Sequence, residues 1–345
     1  MSEVELQDKI IAHALDLQRL SANDEAQAVA ILQQLEAELK ALLNSQTLSD
    51  LGKREVNALI AQADDAIAAR YAGVAGVVDT HGVMLVVADN TVKAMQGIAS
   101  GQVAGVTAET LASLSKEVLI EGAPSKAWWG KQSEDTAFKF AAAVRQGIVN
   151  GLSQESIVAR VAGRNGFMEV ARSNARALVH SSVMTAANSA RMAVYAKNAE
   201  HADGVRWLST LDSHTCLRCG VLDGAAWDFA GKPILGSKIA FMGLPPLHWN
   251  CRCVVTPIPK SLDSILGTTG IDALAESLSR RASKDGPVAG NTTFAAFLSR
   301  QSPQFIAETL GTKRAELFIA GKLTLQDLVN GSGRPLTLKE LAARN

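Results

Sequence analysis

All four cysteines of the chain fall in two short clusters. Cys216 and Cys219 stand in LDSHTCLRCGVLDG (211–224), and Cys251 and Cys253 in PPLHWNCRC (245–253), with His248 three residues ahead of Cys251. A C-x2-C turn presents two thiolates to one point, as tetrahedral zinc sites require. On an extended strand, residues two apart share a face, so Cys251 and Cys253 can reach a common ion. His248 adds an imidazole. The spacing therefore opens a site of four thiolates, or of three thiolates and an imidazole, with structural zinc as the cofactor. Two other readings stay open: reduced cysteines packing where two loops meet, and a redox dithiol or disulfide. Catalytic zinc would need an open coordination position and a base. Asp212, His214 and His248 would be the candidates near the metal; Asp212 and Asp223 flank the cluster and could serve as bases, but capping turns and orienting loop backbone suits both better. The H-x-E that precedes C-x2-C in zinc deaminases is missing, as are the P-loop and G-x-S-x-G patterns.

The elements that must position these residues are mostly helical. The chain has 345 residues, 47% of them hydrophobic and only 5% aromatic, with Ala, Leu and Val dominating. That mixture favours helices and a substantial core. Lys plus Arg and Asp plus Glu both number 34, so no general basic surface for nucleic acid is indicated. No apolar run reaches the roughly 18 residues of a membrane span. The N-terminus has no secretory pattern, and a reducing cytoplasm is the expected place of synthesis. Leu6, Ile10, Leu17 and Leu20, then Ile31, Leu35, Leu39 and Leu42, predict a helical hairpin over 1–45 with its turn at SAND (21–24). The hairpin is expected to serve as a partner-binding arm within a helical region spanning 1–120. Helices are predicted at 134–151, at 154–163 behind a Ser153 cap, and at 169–199. The period shortens at 204–210 and 251–259, which read as strands. Fold class is thus α+β, predominantly helical: a central domain (125–259) with a few short strands and a Cys/His-rich loop pair, followed by a helical C-terminal region (260–345). Arg145, Arg160 and Arg164 on the 134–163 helices would carry a DNA-binding adaptor role.

The segment VRWLSTLDSHTCLRCGVLDG with PPLHWNCRC resembles the central domain of the phage Mu F-like minor head proteins, the phage head morphogenesis family. Ser209, Asp212, Thr215, Cys216, Cys219, Asp223 and Gly224 match the first part of the family pattern. His248, Asn250, Cys251, Arg252 and Cys253 match the second, and Asn188 and Arg191 match an upstream N-x-A-R segment. His180, Ser181 and Ser182 stand where the family carries R-T-E, His214 replaces an Arg and Trp249 a Pro. The resemblance covers about 130–258. It implies a minor capsid protein inside the head near the portal, acting in head assembly and in genome packaging or ejection. Its partners would be the portal, the major capsid or scaffolding protein, and packaged DNA, with no membrane during assembly. The alternative is a zinc- or nucleotide-dependent hydrolase or transferase carried in the virion.

Overall fold

Leucines and alanines recurring every three or four residues build most of the chain, and a short β-rich segment interrupts them. The computed structural model describes residues 3–97, 101–260, 280–281, 283–330 and 333–343, and side chains from residue 9 onward except that of 280. The Leu6 side chain and the part of the helical C-terminal region expected over 261–279 lie outside these. The helices are α1 (Glu3–Asn44), α2 (Lys53–Ala75), α3 (Thr80–Gln96), α4 (Ala108–Glu117), α5 (Ser125–Val149), α6 (Gln154–Val161) and α7 (Phe167–Lys197). A second series follows: α8 (Leu217–Leu222), α9 (Phe294–Leu298), α10 (Pro303–Leu310), α11 (Thr312–Ile319) and α12 (Leu338–Ala342). Strands β1 (Ala202–Leu208), β2 (Ala226–Trp227), β3 (Pro233–Ile234) and β4 (Val254–Pro259) form one antiparallel sheet in the order β3-β2-β1-β4. Two short strands, β5 (Arg280–Arg281) and β6 (Val288–Ala289), pair separately. The class is the α+β, predominantly helical one that the patterning predicts.

The chain divides into two compact units. One comprises Leu17–Thr80 and Lys116–Val183. In it Leu32, Leu35, Leu39 and Leu43 of α1 are fully buried, one face of a helix repeated over three turns. The Tyr71 hydroxyl of α2 lies 2.9 Å from Thr136 Oγ1 of α5. The hairpin turn expected at 21–24 is not formed, since α1 runs through it unbroken. Ser21 and Asp24 are buried instead of marking a surface turn. The Ser21 hydroxyl donates to Glu25 one turn on and lies 3.3 Å from His180 Nδ1. With no Gly or Pro in the stretch, these polar residues find partners without leaving the helix. Trp128 and Trp129 sit on the first turns of α5, where the Trp128 indole donates to the Ile120 carbonyl and Trp129 is buried.

The other unit comprises Met1–Asp16, His81–Ser115 and Met184–Asn345. Here the second half of α7 is buried almost all round, through Met184, Ala186, Ala187, Ala190 and Val194. It lies against β4: Asn188 Nδ2 donates to the Cys253 carbonyl at 3.3 Å, and the Tyr195 hydroxyl to that of Val255. β4 is an edge strand in the sheet order, which suits its prolines at 257 and 259. A further core gathers Leu211, Leu217 and Val221 with Phe294, Phe297, Leu298, Ile306, Leu310 and Leu328, so the chain after β4 packs onto the cysteine loop. By length and composition the stretch Lys53–Gln96 contains a window apolar enough to cross a membrane, which the sequence reading did not expect. Within it Leu59, Ala63, Ile67, Val83, Met84 and Val87 are buried, while Leu85 and Val86 are exposed.

Leu35→Ala removes a side chain with no exposed surface from α1 and should cost about 2–5 kcal/mol of stability. Urea denaturation of the purified chain measures it. A loss below about 0.5 kcal/mol would mean that α1 is an external arm.

Candidate metal centre

Strand pairing decides where the two cysteine loops meet. β1 and β4 are antiparallel with Leu208 opposite Val254. The loop leaving β1 therefore starts where the loop entering β4 ends. Ser209 and Cys253 lie one residue beyond that pair, and the Cys253 Sγ is 3.5 Å from the Ser209 Oγ. Cys251 and Cys253 stand in the loop before β4 rather than on the strand, as the sequence reading had placed them. The chain past Ser209 turns through Asp212, whose carboxylate accepts from the His214 backbone, and Thr215, whose hydroxyl donates to the Thr210 carbonyl. It then enters α8, which Cys216 caps by accepting from the Cys219 N–H.

The five donors come together. His248 Nε2 is 3.2 Å from both Cys216 Sγ and Cys219 Sγ, and Cys219 Sγ is 3.7 Å from Cys251 Sγ. Cys216, Cys219 and His248 form one close group, and Cys219, Cys251 and Cys253 another, sharing Cys219. In a tetrahedron with metal–sulfur bonds of about 2.3 Å, two sulfurs stand roughly 3.7 Å apart. The Cys219–Cys251 separation equals that edge. His248 Nδ1 donates to the Trp249 carbonyl at 2.8 Å, so Nε2 faces the sulfurs. Cys219, Cys251 and Cys253 are buried, while Cys216 and His248 are half-buried. This donor set can hold a metal ion.

Without an ion, the crowded donors perturb one another. Hydrogen bonding with Cys219 pulls the Cys216 thiol down to about 4, and His248 reinforces this against the opposing effect of burial. The bond to Cys216, then that to Cys251, pushes the His248 imidazole up to about 11. Bonding to Cys219 likewise holds the Cys251 thiol low, while the same contacts push Cys219 up and burial pushes Cys253 up. Protons and negative charge are packed together in a small volume, an arrangement that a soft cation entering the site relieves by displacing the protons.

The remaining motif residues brace these loops. Arg252 donates two 2.7 Å bonds to the Asp212 carboxylate. Half-burial alone would push the Asp212 carboxyl up, but the Arg252 guanidinium holds it below the usual carboxylate range. Asn250 adopts a left-handed backbone (φ 60°), which its short polar side chain tolerates, and the Cys251 N–H closes the turn onto the His248 carbonyl. Asp223 accepts from the backbone N–H of Ser209 and of Phe294, as a loop-orienting carboxylate does. Gly224 follows it at φ 81°. A Cβ at Gly220 would lie 2.4 Å from the Phe294 ring, so that position leaves no room for a side chain. Asn188 joins α7 to the Cys253 carbonyl. Its Oδ1 accepts from Arg191, whose guanidinium is buried with Nη2 lacking a hydrogen-bond partner. His214, Arg145, Arg160 and Arg164 are exposed.

Sequence reasoning missed Arg281. Its guanidinium makes a two-point ion pair with Asp223 and also donates to the Thr292 and Ser209 carbonyls. Both side chains are almost wholly buried, at 5% and 0% exposure. No motif flags an arginine 58 residues from its partner. The buried acid at Asp223 was the only available signal.

Residues 139–256 match the family described as Phage Mu protein F like protein. The span contains both cysteine clusters and His248, so this segment is Mu F-like, as its motif suggests. The match supports a phage head morphogenesis protein, and with it a virion component. No curated protein and no solved structure matches the chain.

Asp223→Ala leaves the Arg281 charge buried and unpaired, and should cost about 3–5 kcal/mol. A double-mutant cycle with Arg281→Met, read by urea denaturation, should show the second change costing much less once the first is made. Additive losses would mean that the pair is not coupled.

Proposed function

We propose that this chain is a structural and interaction protein of a tailed-phage head, placed inside the capsid near the portal, whose central module is stapled by zinc. The observation that carries the reading is a coincidence of two findings. The Mu F-like segment, 139–256, is also where the five metal-binding side chains converge. Sulfur and nitrogen donors at tetrahedral spacing suit zinc above the oxygen-seeking cations. Five protein donors can fill four coordination positions, which supports a closed structural site over one that leaves a place for substrate. Asp212, the nearest carboxylate proposed as a base, is committed to Arg252 at both oxygens. The portal and the capsid or scaffolding protein are the partners this reading assigns. Balanced charge favours protein contacts over coating of DNA. On this reading the protein is made in the host cytoplasm and carried into the particle.

Two experiments test it. In purified heads, the protein should be protected from external protease until the capsid is opened, and should crosslink to the portal. Labelling on the outer surface of intact heads would overturn the placement. Treating the zinc-loaded chain with a strong chelator should lower its melting temperature by several degrees, reversed by added zinc. Acidification should release the ion as the ligands protonate. Melting that is indifferent to chelator, with no metal found, would overturn the staple.

A further inference from the structure

The turn that follows β3 holds a leucine in a conformation that suits glycine or asparagine. The Ser237 N–H donates to the Ile234 carbonyl at 3.0 Å and closes the turn. Its two central residues, Leu235 and Gly236, have φ of 51° and 76°. Turns with two left-handed central residues are dominated by Gly, Asn and Asp, because the Cβ of other residues crowds the following carbonyl oxygen. Leu235 recovers little of that cost by burial, since 67% of its surface is exposed. A residue that strains the backbone and stays in solvent is a candidate for contact with another molecule. We propose that this turn is a docking surface for an acidic segment of a partner protein, with Leu235 as its apolar anchor. This names a surface for the interaction role proposed above and rests on that role, not on the metal.

The surroundings set the chemistry of the occupant. β3 is an outer strand of the sheet, so the turn stands at its rim. Lys232 and Lys238, three residues before and after Leu235, are both exposed. No Asp or Glu occurs between Asp228 and Asp263. Asp228 itself is engaged by its own loop, accepting from the Ala230 and Lys232 N–H groups. Leu235 also forms part of the wall of a cleft of about 190 Å³. The described residues that line it include Arg206, Asn291 and Thr293, and no Asp or Glu. An apolar side chain flanked by cations fits a segment whose own apolar residue is bordered by carboxylates. Such charges steer association and choose between partners, while the apolar contact supplies the hold. A nucleic acid would match the lysines but give the leucine little to bury against.

Binding of the full-length chain to purified portal, major capsid and scaffolding proteins tests this. Leu235→Asn suits the left-handed turn and removes the anchor, so its melting temperature should match or exceed that of the wild type. Its affinity for one of the three proteins should fall about tenfold or more. The double variant Lys232→Glu, Lys238→Glu should weaken the same complex and lose or reverse the weakening by salt seen with the wild type. If Leu235→Asn binds every partner as the wild type does, the surface is overturned and the interaction role stands. Protein binding that is intact in both variants, with binding to a short DNA duplex lost, would make nucleic acid the occupant instead. A Leu235→Asn chain that melts well below the wild type would show that the leucine serves the fold, which also overturns the surface. A wild-type chain that binds none of the three would remove the interaction role, and this surface with it.

Discussion

The antiparallel register of β1 against β4 is the constraint on which the middle of this chain depends. Pairing Leu208 with Val254 fixes both ends of a connection that contains α8, β2, β3 and every cysteine. Bringing the ends of a flexible loop together costs conformational entropy that rises only slowly with its length. The strands meet that cost, and what remains for the cysteine loops is local: a capped turn at Cys216, a left-handed Asn250, an imidazole pinned through Nδ1. A two-residue strand such as β2 or β3 has little hold of its own. A tetrahedral ion held by the cysteine loops would supply the fixed point that these short pieces lack.

A second constraint ties in the chain beyond β4. Asp223 ends the cysteine loop, and its two oxygens are shared among two backbone N–H groups and the Arg281 guanidinium. Burying either charge alone would be prohibitive, so the pair forms only when both segments are in place. Phe294 packs where Gly220 leaves space, and its N–H reaches the same carboxylate. Arg281 and the described residues from Phe294 to Leu341 that join this core therefore behave as part of the cysteine module's structure, held by an ion pair and an apolar core.

The meeting of the cysteine and histidine side chains was legible in the sequence because its information is local. C-x2-C, H-x2-C and C-x-C each place donors within a turn, and the strands at 204–210 and 251–259 announced themselves by their change of period. The carboxylate at Asp223 was legible as a loop-orienting group, since Asp beside Gly at a turn has few other uses. What stayed hidden was non-local. Arg281 reads as one arginine among many until the fold brings it to Asp223. Ser209 reads as a motif residue, and only its three neighbours in space, Trp207, Cys219 and Cys253, show that its one hydrogen is already committed. The SAND stretch misled for the opposite reason. Its residues favour turns in isolation, but burial against partners such as His180 keeps them helical.

The link from metal centre to helix runs through Cys253. On one side its thiol meets Ser209; on the other its carbonyl accepts from Asn188, whose side chain also receives the buried Arg191. A guanidinium without exposed surface and with an unpartnered nitrogen tolerates little displacement, because any loosening trades its remaining bond for nothing. Movement of β4 away from α7 would thus break the Asn188 contact and strand Arg191 together. Ligand loops, sheet and helix are thus joined by one run of hydrogen bonds through Ser209, Cys253, Asn188 and Arg191.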